Sequence, residues 1–355
     1  MRRSLAGLRR RRPWRAAAAL SMEAQHVFDR AVKRRHRDYA AEVAGRGGAA
    51  ALQMNALKDE SARQLLDRLE DIQRDFPLTL DLGCGLGHIR KALLEVPGAG
   101  GIEHLVEVDA SAGMVEYCRR EAAAEANPNS EDEDEGAIEL RHAVVDEEFL
   151  PFQDNSFDLV LSSMSMHWVN DLPGMLTQAR RCLRPDGAFL GAMLGGATLD
   201  ELRVSLMLAE EELEGGISPH TSPMVQLSDA ASLITSAGFR LPVVDSDTYA
   251  LHYPDMDTLM RELQRAGDGN AVPHRRHHVP RRTFARAAEI YRERFGEEDG
   301  SLPATFQIIY MIGWKEHESQ QQPKARGSAN ASMKDALEVE VTVTEGGDGG
   351  GESKA

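Results

Sequence analysis

From Leu78 onward, short apolar runs alternate with longer stretches whose apolar residues return every three or four positions. The runs Leu78–Leu82, Leu105–Val108, Leu140–Val145, Phe157–Ser162 and Gly187–Met193 have the length and composition of buried strands. His88–Leu94, Ala112–Glu125 and Pro173–Leu183, lying between them, have helical spacing. Further along, Leu227–Ala237 is predicted as a helix stopped by Gly238, Val243–Tyr253 as a strand, Met256–Ala266 and Arg282–Phe295 as helices, and Thr305–Trp314 as the closing strand. Strand–helix alternation of this kind predicts an α/β chain built on a parallel, doubly wound sheet with right-handed crossovers. Upstream, residues 23–76 read as helical and polar with a break at Gly45–Gly48; Leu65, Leu66, Leu69 and Ile72 line one face and are expected to pack on the sheet.

Charge and composition subdivide the chain. Residues 1–22 hold seven arginines, an alanine run and no acid, the composition of a mitochondrial transit peptide; the alternative is a basic arm. Removing those seven shifts the remainder from −16 to −23, which argues against nucleic acid as a partner because phosphate binding needs a positive face. Residues 127–136 (NPNSEDEDEG) combine turn formers with consecutive acids and read as a solvated insert. Beyond residue 315 the Ser/Gln/Gly/Glu-rich composition is that of a disordered tail. The expected organisation is therefore 1–22 transit segment, 23–76 helical segment, 77–315 main domain and 316–355 tail. No apolar run approaches the roughly 20 residues of a membrane-spanning helix. Cys84, Cys118 and Cys182 show no metal-ligand spacing, so no metal site is expected and the thiols read as free. The stretch 272–282 (VPHRRHHVPRR) reads as an exposed basic loop able to meet the acidic insert or an anionic membrane face.

The chemistry gathers at the predicted strand ends. Leu80-Asp81-Leu82-Gly83-Cys84-Gly85-Leu86-Gly87 follows the first strand and opens a helix, and its glycines permit a sharp turn and a close backbone approach to a ligand. A dinucleotide fingerprint would place its last glycine at 88, where this chain has His88; the pattern here is GxGxG. Asp81 beside it suits a positively charged amine, as at the amino-acid end of S-adenosylmethionine. Asp109 ends the second strand 22 residues beyond Gly87 and can take both ribose hydroxyls, although NAD would need the same acid. Asp146 ends the third strand and can bond the exocyclic amine of adenine, with Phe149 or Leu150 against the base. Ser162 and Ser163 end the fourth. Ligands of such sheets bind outside the carboxyl ends of the strands, where these pieces converge. The candidate cofactor set is Asp81, Gly83, Cys84, Gly85, Gly87, Asp109, Ala110, Asp146, Glu147 and Ser162.

These motifs resemble the class I S-adenosylmethionine-dependent methyltransferase fold, which implies a Rossmann-like sheet of seven strands with the last one antiparallel. The phrases at 147–152 (EEFLPF), 165–173 (SMHWVNDLP), 215–220 (GGISPH) and 303–308 (PATFQI) are similar to those of the mitochondrial complex I assembly factor 5 family, over about 26–327. That resemblance implies an arginine hydroxylase acting on an iron–sulfur subunit of complex I early in assembly, peripheral to the inner membrane on its matrix side, alongside other assembly factors. By residue it implies Asp81, Gly83, Gly85 and Gly87 at the methionine end of the cofactor, Asp109 at ribose and Asp146 at adenine.

Methyl transfer needs little beyond alignment and, for some acceptors, a base. Hydroxylating an arginine carbon needs an oxidant that a metal or organic cofactor ordinarily supplies. The one H-x-D match, His36-Arg37-Asp38, falls in the polar lead-in and is expected away from the strand ends, so it does not read as an iron site. His167 is the candidate catalytic residue, with Ser162 and Trp168 beside it, and His220 sits in a Gly/Pro-rich loop able to close over the pocket. Two other functions fit the residues: an O-methyltransferase for an acyl carrier or small carboxylate, suggested by a likeness of 243–253 and 305–315 to malonyl-carrier methyltransferases, and a non-catalytic assembly chaperone.

Overall fold

A computed structural model describes residues 26–47, 52–70, 72–125 and 138–320. The transit-like start, the acidic insert at 127–136 and the tail beyond residue 320 lie outside these residues.

One seven-stranded sheet organises the fold, in the order β3-β2-β1-β4-β5-β7-β6. The strands are β1 (Leu78–Leu82), β2 (His104–Asp109), β3 (Glu139–Val144), β4 (Phe157–Ser163), β5 (Leu183–Leu194), β6 (Arg240–Tyr253) and β7 (Leu302–Trp314). The first five pair in parallel, while β7 runs antiparallel to both β5 and β6. This is the sheet of a class I methyltransferase, with the last strand slotted antiparallel between β5 and β6.

The helices are α1 (Arg30–Gly45), α2 (Leu52–Glu70), α3 (His88–Glu95), α4 (Ala112–Glu125), α5 (Leu172–Cys182), α6 (Asp200–Glu214), α7 (Leu227–Ser236), α8 (Met256–Arg265) and α9 (Arg281–Phe295). The two-residue period of the strands distributes the core between the faces of the sheet. In β4, Leu159 and Leu161 join the side covered by α2, α3, α6, α8 and α9, while Val160 joins the side covered by α5 and α7. Strand β7 repeats this with Phe306, Ile308 and Tyr310 against Ile309 and Met311. Both faces of these strands are therefore apolar, as continuous hydrophobic runs require.

Helix α6 departs from the sequence pattern: it falls between Met193 and Leu227, where the pattern assigned nothing. It starts after Leu199, a left-handed residue (φ 58°), with no side-chain cap to announce it, and its Leu202, Ser205, Leu206 and Ala209 turn inward. Helices α1 and α2 both pack on the main fold. Residues Leu65, Leu66 and Leu69 of α2 are part of the main core, as expected, and α1 packs against α4 and α8. Helix α1 is seated at its start by Asp29, whose side chain accepts from Val32 N and whose backbone N–H donates to Ala271 O (2.7 Å). Asn170 grips Phe28 on both sides: Phe28 N donates to Asn170 Oδ1 (2.8 Å) and Asn170 Nδ2 donates to Phe28 O (3.1 Å).

Candidate functional site

The site begins where β1 stops. Gly83 (φ 83°), Gly85 (56°) and Gly87 (74°) all lie in the left-handed region, so the chain reverses within five residues and enters α3. Gly83 N and Cys84 N both donate to Val108 O (2.8 and 2.9 Å), fastening the bend to the end of β2. Asp109, fully buried at that end, accepts from Gly85 N (3.2 Å) and, beyond the intervening Ala110, from Ser111 N (2.8 Å). A β-carbon on Gly83 would fall 2.1 Å from Ser165 Oγ, so the bend also packs against the turn that follows β4.

Asp81 is buried, and neither of its carboxylate oxygens has a hydrogen-bond partner. Burial, reinforced by Glu107 and Asp109, pushes its carboxyl well above the usual carboxylate range. A buried acid with no donor is complementary to a cation, and Asp81 is the residue expected to meet an ammonium group.

Helix α1 enters this crevice, which the sequence pattern did not foresee. Arg30, Lys33 and Arg37, spaced three and four apart, lie on one helix face directed at the strand ends. The Arg37 guanidinium donates to Glu147 Oε1 (2.5 Å), Ser165 Oγ (2.6 Å) and Asp109 Oδ1 (3.2 Å). Arg30 donates to Asp146 Oδ1 (2.6 Å), Glu147 Oε2 (2.5 Å) and the carbonyl of Trp168 (3.2 Å). Burial alone would raise the Glu147 carboxyl, but Arg37 and Arg30 overcome it and hold the group well below the usual range. Asp109 is pushed upward by burial despite Arg37. Lys33 Nζ lies 3.4 Å above the centre of the Trp168 ring, donates to Gly267 O (2.5 Å) and pairs with Asp268 (3.0 Å). Burial lowers this lysine to about 7, with Asp268 opposing the shift.

The placement of His36-Arg37-Asp38 corrects the sequence expectation. The segment lies across the strand ends, because α1 folds back over the crevice. Its outer two residues still do not converge: Asp38 Oδ1 accepts from Ser111 Oγ (2.5 Å), whereas His36 lies beside Gly269.

Several sequence candidates are occupied elsewhere. Ser162 donates its hydroxyl to Leu82 O (2.8 Å), pinning β4 to β1. His167 is buried against β5, with Nδ1 accepting from Leu194 N (3.4 Å) and Nε2 without a hydrogen-bond partner, and burial lowers its imidazole well below the ordinary value. Phe149 is exposed near Asp146, while Leu150 is buried under Gln178. His220 holds its loop to α6 through Glu210 (3.1 Å), so that loop walls a separate cavity and does not cover the crevice. The basic 272–282 loop is partly turned inward: Arg276 pairs with Glu210 and Glu214, and Arg275 Nη1 donates to Val272 O (3.0 Å).

Among the described residues, three ligand-type atoms converge at Cys84, Glu107 and Cys118, with the two sulfurs 3.9 Å apart. Glu107 already faces two basic groups, Arg90 Nε at 3.7 Å and His142 Nε2 at 2.9 Å, and the Cys118 thiol together with burial pushes the Cys84 thiol up.

Beside the crevice, with Trp168 and Asp268 in the shared wall, lies an apolar cavity of about 300 Å³. Met54, Leu194, Leu202, Leu206, Phe284 and Phe306 line it, and His220, Arg275 and Arg276 stand among its polar groups. The crevice itself retains only about 30 Å³ of space around Gly83, Asp109, Ser165 and Arg37.

Residues 80–191 match the methyltransferase domain family. The chain is 44% identical over 328 residues to the mitochondrial arginine-hydroxylase NDUFAF5 of Danio rerio, covering 92% of this chain and 94% of that one. It is 44% identical over 308 residues to that of Homo sapiens, covering 87% and 82%. A malonyl-[acyl-carrier protein] O-methyltransferase of Methylovorus sp. is 32% identical over 291 residues, covering 82% and 90%.

Proposed function

The chain belongs to the arginine-hydroxylase NDUFAF5 family, and on that premise we propose that it is a mitochondrial enzyme that hydroxylates an arginine of a complex I iron–sulfur subunit at an early stage of assembly. It works on the matrix side of the inner membrane, and no described helix is long and apolar enough to cross that membrane. One observation carries the cofactor half of this reading: the glycine bend at Gly83–Gly87 closes on the buried Asp109, with the unpartnered Asp81 behind it.

S-adenosylmethionine fits the chemistry of that donor set. The bend and Asp81 suit the methionine end, Asp109 the ribose and Asp146 the adenine. The cofactor brings an electrophilic methyl group and a positive sulfonium. The protein's own contribution is a buried crevice in which the Asp109 carboxylate is held in a fixed position by the Gly85 and Ser111 N–H groups. A guanidinium substrate suits the acidic residues at the strand ends, which already bind the two arginines of α1.

The decisive experiment is peptide mass spectrometry of complex I from cells lacking the protein. Loss of a one-oxygen increment from an arginine supports hydroxylation, loss of a methyl increment supports methylation, and an unchanged peptide set defeats both. A second reading, an O-methyltransferase for an acyl carrier, is favoured by the apolar cavity of about 300 Å³, large enough for an acyl group. Transfer of labelled methyl to a malonyl carrier would decide for it. Should an Asp109→Ala chain that has lost the nucleoside still restore assembly in full, the role would be that of a scaffold.

A further inference from the structure

The space around the glycine bend poses a problem that the expected cofactor does not resolve. A nucleoside of that size needs a cleft of roughly 300 Å³ or more, whereas the crevice offers about 30 Å³. The Arg37 side chain stands in that crevice. It is buried, and each of its three hydrogen-bond partners is a group on the crevice wall: Glu147, Asp109 and Ser165. Two of the three are charged and fully buried, so the arrangement is a built receptor and not a surface encounter. Its planar donors match it: Nη1 serves the two carboxylates and Nη2 the hydroxyl.

We infer that Glu147, Asp109 and Ser165 form a guanidinium-binding site, and that Arg37 of α1 occupies it in competition with the nucleoside. This rests on the cofactor reading above for the identity of the competitor, but the guanidinium site stands on the contacts themselves. Asp109 cannot offer Oδ1 to Arg37 and both oxygens to a ribose diol at once, because Ser111 N and Arg37 together fill Oδ1, and Gly85 N leaves only one lone pair free, on Oδ2. Arg30 adds to the blockade from the same helix face by holding Asp146, the acid expected at adenine. Binding of the nucleoside therefore requires α1 to withdraw Arg37, and the apparent affinity is reduced by the fraction of molecules in which it has not. Once α1 has withdrawn, the vacated receptor is open to a guanidinium from another chain.

The test uses the chain as it stands and its Arg37→Ala variant, with S-adenosylhomocysteine as the nucleoside probe and ethylguanidine as the guanidinium probe. In calorimetry the variant is expected to bind S-adenosylhomocysteine at least tenfold more tightly than the parent. Millimolar ethylguanidine should return the variant to the parent's affinity and leave the parent unchanged, and ethylamine at the same concentration should do neither. Equal or weaker nucleoside binding by the variant overturns the competition. If neither protein binds the nucleoside, the cofactor reading fails, and the receptor is judged on ethylguanidine alone: it must raise the melting temperature of the variant above any effect on the parent, and no difference overturns it. Should Arg37→Ala fail to fold, Arg37→Gln, which is shorter and carries no charge, is subjected to the same measurements with the same criteria.

Discussion

Replacing Gly83 by alanine isolates the contribution of the glycine bend. The residue sits at φ 83°, where an added β-carbon costs roughly 1–2 kcal/mol on backbone grounds. The new carbon would also lie 2.1 Å from Ser165 Oγ and 2.4 Å from Ser165 Cβ, far inside ordinary contact distance, so Ser165 has to turn and its backbone has to shift, since rotation moves Oγ but not Cβ. In turning it abandons its bond from Arg37 (2.6 Å) and its own donation to Glu147 (3.1 Å). Hydrogen bonds to charged groups are worth about 1.5–3 kcal/mol, and the two share one hydroxyl, so roughly 2 kcal/mol is lost there. The total, about 3–4 kcal/mol, corresponds to a melting temperature lower by roughly 4–5 °C for a chain of this size. Thermal unfolding followed by circular dichroism measures it. The Ser165→Gly background separates the two contributions, because it removes the collision and leaves only the backbone cost. There Gly83→Ala should lower stability by only about 1–2 kcal/mol, a coupling of roughly 2 kcal/mol between the positions. A Gly83→Ala protein melting within about 1 °C of the parent, or the same cost in both backgrounds, would refute the packing argument.

Other expectations follow from the same contacts. Asp109→Ala should weaken S-adenosylhomocysteine binding by roughly 30-fold or more in calorimetry, since it removes a charge-assisted, two-oxygen acceptor worth about 2–3 kcal/mol; undiminished affinity would remove Asp109 from the ribose role. Asn170→Ala deletes both bonds that seat Phe28, and trypsin should cut within 26–47 about tenfold faster than in the parent. Glu210, buried in α6, has its carboxyl raised by burial but lowered further by Ser218 and Arg276, to about 2. A folded-state value below the unfolded one means stabilisation that is complete above about pH 4.5 and fades as pH falls toward 2. Unfolding free energies from urea titrations of the parent and Glu210→Gln should therefore differ most at neutral pH, by up to roughly 3 kcal/mol, and converge as pH falls from 4.5 toward 2; a pH-independent gap would show that the difference comes from packing.

The apolar periodicities of the chain announced the sheet and most of its helices, because a strand or helix buries a face set by its own geometry and that geometry is written in residue spacing. Strand β1 and helix α4 coincide with the sequence expectation to the residue, and the others differ by a few residues at their ends, where pairing partners and caps decide. Gly83, Gly85, Gly87 and Asp109 were likewise readable, since a left-handed bend and an acid at a strand end are local requirements. Helix α6 escaped because Leu199 starts it without a capping side chain. Arg30, Lys33 and Arg37 escaped for a different reason. Three cations on one face of a polar helix look like a solvated surface until that helix is laid across buried carboxylates from β2 and the β3 loop, more than 70 residues away. Ser162 shows the converse, a polar residue at a suggestive position whose hydrogen bond is made within the core. Spacing along the chain determines which residues share a face; only the folded packing decides what that face meets, because the free energy of a buried charge depends on the groups brought to it from distant sequence.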